Sequence, residues 1–301
     1  MTNLPASQKN QLIVALPDVE YQRLYSSLEL IYLPLGEVLY EYGGTLNYVY
    51  FPTNCIVSLL CDLENGHSSE IAIVGNEGMI GIAHFLGGGS MPNRAVVQSA
   101  GYAYRMRGAI MMKEFNLNGV LTHLLLRYTQ TLITQMTQNA VCNRYHSVVQ
   151  QLCRWLLRSI DRLSSDELTM THELIANMLG VRRETVTEAF GKLHQAGLID
   201  HSRSHIRVLD RSGLEKRACE CYRVVKTAYD RLMPHEVLRK TAPVLNQRTF
   251  PSNVQFALSM QLENSKNEIG RLGMAHKRQD DNRESARKPG NQLAGSAQLT
   301  H

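Results

Sequence analysis

The 301-residue sequence holds no apolar run near the roughly 18 residues that a membrane-spanning helix needs, so no helical membrane span is expected. Its early apolar stretch, Leu12–Leu16, stops at Pro17 and follows a single charged residue, Lys9. That is too short for a secretory core, and a cytoplasmic location is expected. No CxxC occurs among the six cysteines, Cys55, Cys61, Cys142, Cys153, Cys219 and Cys221. In a reducing compartment they are expected to be small buried thiols. Cys219 and Cys221 lie in a segment that reads as a helix. Residues two apart on a helix point about 200° apart, so the pair is not expected to share a metal. No HxH, GxSxG, Walker loop or HExxH is present, and with them go the common hydrolase, nucleotide-triphosphatase and zinc-protease readings. No enzyme activity, no resident metal and no definite cofactor are expected. Excess charge is also scarce. The net +5 permits an anionic partner without requiring one.

What is present divides into regions of different pattern. A short helical lead-in spans residues 10–30, with Leu12, Leu16, Tyr21, Leu24 and Leu28 as its apolar set. From Ile31 to Met106 short β-rich runs alternate with turn signals. The runs are Tyr48–Phe51, Cys55–Leu60, Ile71–Val74 and Ala95–Gln98, and Asn65-Gly66 marks a hairpin. Several short strands at this spacing point to a small barrel or jelly roll.

Gly119 to His146 has neither proline nor a further glycine, and reads as one long helix. Leu121, Leu125, Tyr128 and Leu132 repeat with 4-3-4 spacing, a short heptad seam expected to meet a second copy of the chain, although a helix buried within its own domain gives the same spacing. Val148–Leu163 continues as a helix that holds Trp155, the lone tryptophan.

The most informative stretch runs from Thr171 to Leu193. Thr171 can cap a first helix, whose apolar face is Leu174, Ile175, Met178 and Leu179. Gly180 falls where the chain must leave that helix through an unusual backbone angle. Val186, Phe190 and Leu193 give a second helix one buried stripe. Arg182, Arg183, Glu184, Thr185, Thr187 and Glu188 are left off that stripe, where the second helix of a helix-turn-helix presents side chains to a DNA major groove. Arg183 can bond guanine bidentately and Glu184 can accept from cytosine N4. Arg182 and Thr185 suit phosphate. Leu198–His201 and His205–Leu209 read as a two-stranded wing whose tip carries Arg203. Double-stranded DNA is the expected partner.

On these residues the sequence resembles the Crp/Fnr family of bacterial transcription regulators over roughly residues 12–230. The likeness is strongest at Gly180-Val181-Arg182-Arg183-Glu184-Thr185-Val186. It implies an α+β fold: an N-terminal jelly-roll-like β-roll sensor over residues 10–118, a long dimerisation helix over 119–146 and a winged helix-turn-helix over 147–233. It also implies base contacts from Arg183 and Glu184, and a homodimer on a near-palindromic site. Where the cAMP-responsive members have a further base-reading arginine, this sequence has Glu188, so the half-site is expected to differ. The family's phosphate-binding cassette resembles Gly81, Ile82, Ala83 and, after a glycine-rich stretch, Arg94 and Ala95. Ile82 stands where cyclic-nucleotide binders carry the ribose-binding glutamate, so cAMP is not the expected effector. An unidentified small-molecule effector and a vestigial pocket both stay open. The clustered N-terminal cysteines of the iron–sulfur members are missing, and His67 and His84 are the only β-roll histidines a haem could use. Activation would require a surface for RNA polymerase, a further partner that no motif marks. Two readings of other classes remain beside this one: an interaction module without specific DNA binding, and a metal-dependent cupin-type enzyme.

The segment Asp210–Met233 reads as one more helix, with capping-box spacing at Ser212 to Glu215. Residues 234–301 read as an extension. Its last part, 274–301, is polar and nearly free of large apolar groups, so disorder is expected there.

Overall fold

Pro17 divides the lead-in. In the computed structural model, which describes residues 9–64, 66–163, 165–202 and 204–233, α1 (Gln11–Val14) and α2 (Asp18–Tyr25) flank it instead of one helix over 10–30. Asn10 caps α1 with its side-chain oxygen and donates its amide to the Pro52 and Gly78 carbonyls, both at 2.8 Å.

Seven strands follow: β1 (Glu29–Leu33), β2 (Val38–Tyr40), β3 (Tyr48–Pro52), β4 (Ile56–Asp62), β5 (Ser68–Val74), β6 (Arg94–Ser99) and β7 (Gly101–Arg107), with α3 (Ala83–Leu86) between β5 and β6. They form two antiparallel sheets, ordered β1-β7-β3 and β2-β6-β4-β5. The four runs legible in the sequence are β3 to β6. The pairing of β4 with β5 is the hairpin expected around Asn65-Gly66, although Asn65 itself lies outside the described residues. Period-two burial, as in β3, sends Val49 and Phe51 into the space between the sheets.

After α4 (Gly108–Asn116) the chain runs through α5 (Val120–Tyr145), and Glu20 of α2 accepts from the Val120 and Leu121 amides at its exposed start, both at 2.9 Å. That carboxylate satisfies two unpaired N–H groups and complements the helix dipole. One face of α5 closes the β-roll. Leu121, Leu125, Tyr128 and Leu132 lie on that face, fully buried with Val49, Phe51, Met79 and Met106. The expected seam is therefore corrected: these four side chains pack inside their own chain and have no area left for a twin. The reason is that a heptad and a single-faced amphipathic helix leave nearly the same spacing in sequence.

The remaining elements are α6 (Val148–Ile160), β8 (Glu167–Thr169), α7 (His172–Leu179), α8 (Arg183–Gln195), β9 (Ile199–Ser202), β10 (His205–Val208), α9 (Arg211–Arg217) and α10 (Glu220–Leu232). Trp155, Ile175, Phe190, Leu193 and Leu214 centre a second core. The single helix expected over 210–233 is two, because the chain turns extended at Ala218 and Cys219. Asp210, not Ser212, caps α9, accepting from the Gly213 amide at 2.9 Å. Cys219 is the extended N-cap of α10 (φ −72°, ψ 164°), so it does not share a helical screw with Cys221. The expectation that the two thiols diverge fails for that reason: their sulfurs lie within 4.8 Å of each other. α10 folds back along α5, and Tyr229 donates to the Glu77 carbonyl at 3.1 Å. No described helix is long and apolar enough to cross a membrane. The expected extension 234–301 lies outside the described residues.

Candidate nucleic-acid interface

The turn between α7 and α8 fixes the site. The Thr171 hydroxyl accepts from the Leu174 amide at 3.2 Å, which caps α7 as its sequence position implies. Ile175, Ala176, Met178 and Leu179 are buried, while Leu174 is part-exposed and leaves the expected apolar face. Gly180 takes the left-handed conformation (φ 66°, ψ 35°) and ends the helix. A side chain there would be strained by that angle alone. Arg182, in extended conformation, is the N-cap residue of α8.

Val186, Ala189, Phe190 and Leu193 anchor α8 in the second core. Arg182, Arg183, Glu184, Thr187 and Glu188 are exposed, and Thr185 is half-buried. Among the described residues no ion pair engages Arg182, Arg183, Glu184 or Glu188, whereas Arg207 and Arg211 are both neutralised by carboxylates. Thr187 is less available than its neighbours. Its hydroxyl donates to the Arg183 carbonyl at 3.1 Å and lies 3.2 Å from His172 Nδ1. The His172 ring stacks on Phe190 with centroids 4.3 Å apart. Burial pushes the His172 pKa below its ordinary value, with the charges of His201 and Arg183 adding to the effect.

The wing has three strands, not two. β10 lies between β8 and β9, and Arg207 bonds Glu167 across the first pair at 2.7 Å. Arg203, expected at the wing tip, lies outside the described residues. Beside the start of α8 runs a cleft. Leu63, Ser68 and Ser69 of the β4–β5 hairpin line one wall, and Asn177, Arg182 and Glu184 line the other.

The expected effector residues occupy a different kind of environment. Gly81 is left-handed (φ 105°), with the Leu46 side chain where a Cβ would be. Ile82 and Ala83 pack against the β-roll core, and Ala95 is fully buried in it. Arg94 is already paired. Its guanidinium donates to both Asp62 carboxylate oxygens, at 2.8 and 3.0 Å, and Glu41 lies 3.9 Å away. Asp62 was not singled out from the sequence, since only the register of β4 on β6 brings it there. A separate cavity of about 250 Å³ opens where the β-roll, α5, α6 and α10 meet, lined by Glu77, Tyr128, Gln135, Arg158 and Arg162 among others.

Comparison with known proteins agrees with this geometry. Residues 150–217 match the family model of the Crp-like helix-turn-helix domain. No curated protein matches the sequence. Among solved structures the chain is similar to FixK2 from Bradyrhizobium japonicum, at 17% identity and TM-score 0.56 over 64% of this chain and 98% of that one. It is similar to a Crp/Fnr-family transcriptional regulator from Eubacterium rectale, at 16% identity and TM-score 0.53 over 67% and 94%. A CRP-family transcriptional regulator from Thermus thermophilus aligns at 19% identity and TM-score 0.54 over 62% and 96%. Residues 150–217 are thus a Crp-like helix-turn-helix domain, carried by a chain with the β-roll, long helix and winged-helix fold of the Crp/Fnr regulators.

Proposed function

We propose that this protein is a sequence-specific transcription regulator that binds a near-palindromic DNA site as a homodimer. The observation that carries the reading is the start of α8, where Arg182, Arg183, Glu184 and Glu188 stand exposed and without ion pairs among the described residues, on a helix held by Phe190 and Leu193. Arg183 and Glu184 have the reach and chemistry for guanine and cytosine edges. Arg182, Thr185 and Thr171 fit phosphate, and Arg203, which follows β9 in the sequence, is a further candidate. Glu188 repels phosphate and adds an acceptor, which shifts base preference rather than affinity alone.

The dimer seam belongs to the outward face of α5. His123, Leu126, Gln130, Ile133, Thr137, Ala140 and Arg144 are all exposed and follow each other at alternating steps of three and four. Leu126 is 46% and Ile133 51% exposed, one heptad apart. Two copies joined there would present two α8 helices to successive major grooves.

Regulation by a small molecule is part of the proposal, and Ile82 argues against cAMP as that molecule. An anion at Arg94 would have to displace Asp62. A ligand in the junction cavity would touch α5, α6 and α10 together.

The test is selection from a randomised two-fold-symmetric duplex pool, followed by anisotropy with wild type and Glu184→Ala. The expected result is an enriched palindrome with half-sites about one helical turn apart. Glu184→Ala should relax one symmetric base position at a cost of about 1–3 kcal/mol. Binding that stays weak, salt-sensitive and sequence-blind with and without added nucleotides would instead support an interaction module.

A further inference from the structure

The second core ends near a small satellite of buried thiols, Cys142, Cys219 and Cys221. Cys142 lies in the last turn of α5. His146, four residues on, caps that helix on the same face. Cys219 caps α10 and Cys221 lies in its first turn. One ligand atom from each of the four residues falls within 4.8 Å of every other. The Cys142 and Cys219 sulfurs are 3.4 Å apart, and Cys221 Sγ is 3.6 Å from His146 Nδ1.

We propose that Cys142, His146, Cys219 and Cys221 form a tetrahedral Cys3His site for a zinc ion, which ties the end of α5 to the start of α10.

The spacing decides the metal's chemistry. A tetrahedron with Zn–S bonds of about 2.3 Å places its ligand atoms roughly 3.8 Å apart, close to the separations seen. An iron–sulfur cube spreads its cysteines farther, around several irons. Thiolates disfavour magnesium and calcium, which take oxygen ligands. Four protein ligands with three of them buried leave no open position, which marks a structural site rather than a catalytic one.

The surroundings fit the same ion. His146 offers Nδ1 to the cluster, while its Nε2 lies 3.3 Å from the Glu220 carboxylate. A carboxylate on the far nitrogen fixes the tautomer and raises the basicity of a ligating histidine. Three thiolates, a neutral imidazole and Zn²⁺ sum to one negative charge. Arg154, buried and with its Nε unpartnered among the described residues, stands close enough to the cluster for its positive charge to offset that sum.

The position gives such a site leverage. His146 and Ser147 form the joint between α5 and α6, and Gln151 bonds the Cys142 and His146 carbonyls at 3.4 and 2.9 Å. A metal there would hold α10 against the joint that connects the β-roll helix to the DNA-binding domain.

The experiment uses the full-length protein, purified under reducing conditions, stripped with a chelator and titrated with Co²⁺ and then Zn²⁺. The expected result is one metal per chain, with tetrahedral cobalt bands, thiolate-to-cobalt charge transfer and full displacement by zinc. Zinc should also raise the melting temperature of the stripped protein. Cys219→Ser should diminish the charge-transfer band and weaken zinc strongly. Glu220→Gln, at an exposed position that leaves folding intact, should weaken zinc by about tenfold. An octahedral cobalt spectrum without charge transfer overturns the proposal. So does stoichiometric zinc whose affinity neither variant changes, or a Cys142–Cys219 disulfide that forms in air equally with and without zinc.

Discussion

Single side chains carry the chemistry, and two of them make separable predictions. Thr171 caps α7 through one hydroxyl, so Thr171→Ala should lower stability by about 1 kcal/mol in urea denaturation. His172 gives a pH dependence. Its pKa in the folded chain is depressed by burial, so folding favours the neutral ring. Above the unfolded value of about 6.5 both states hold a neutral ring and nothing changes. As pH falls through that value the unfolded state binds the proton first, and stability declines until the folded pKa is passed. Urea midpoints between pH 7.5 and 5.5 should therefore fall in wild type and fall less in His172→Phe, which keeps the stack on Phe190. An unchanged slope in the variant would assign the acid sensitivity to another group.

At the level of elements, α5 shows where sequence and structure part. Its existence and length were legible, because Gly119 to His146 contains nothing that breaks a helix. Its two apolar faces were not separable, since Leu121, Leu125, Tyr128 and Leu132 keep a spacing that suits a seam or a core equally. The contrast can be measured. Ile133→Glu should leave the fold intact and convert the proposed dimer to monomer in sedimentation, with loss of the proposed palindrome binding. Leu125→Ala, buried at the same helix's inner face, should cost about 2–5 kcal/mol of stability by opening a cavity. The helix-turn-helix itself was readable almost residue by residue. Thr171, Gly180, Val186 and Phe190 each have one physical job there, and local chemistry names it. The pairing of Arg94 with Asp62 and the third wing strand were not readable, since each depends on strand register.

For the whole molecule the decisive feature is the junction between the β-roll and the helix-turn-helix domain. The Glu77 carboxylate meets Arg162 at 2.7 Å with both side chains largely buried. Gln98 bonds Ser58 and reaches Ser159 of α6, the second contact at 3.5 Å. The β4–β5 hairpin stands across the cleft from Arg182 and Glu184. Breaking a buried pair by removing one partner costs about 3–5 kcal/mol. Arg162→Ala should therefore loosen the junction, seen as faster amide exchange in β5 and α6, and should change DNA affinity if the two domains move as a unit in regulation. Exchange confined to residue 162's own turn would show that the junction is held elsewhere.

The sequence by itself determined the order of the parts: a β-rich first half, one long helix, then a helix-turn-helix with a wing. It did so because period, caps and turn residues act over a few positions and leave their mark locally. Tertiary structure alone decided which face of α5 is outward, what neutralises Arg94, and that Cys142, His146, Cys219 and Cys221 meet. The C-x-x-x-H and C-x-C spacings were present to be read. Their convergence was not, because it depends on Cys219 leaving the helical screw and on α10 folding back along α5, two events set by packing far from either motif.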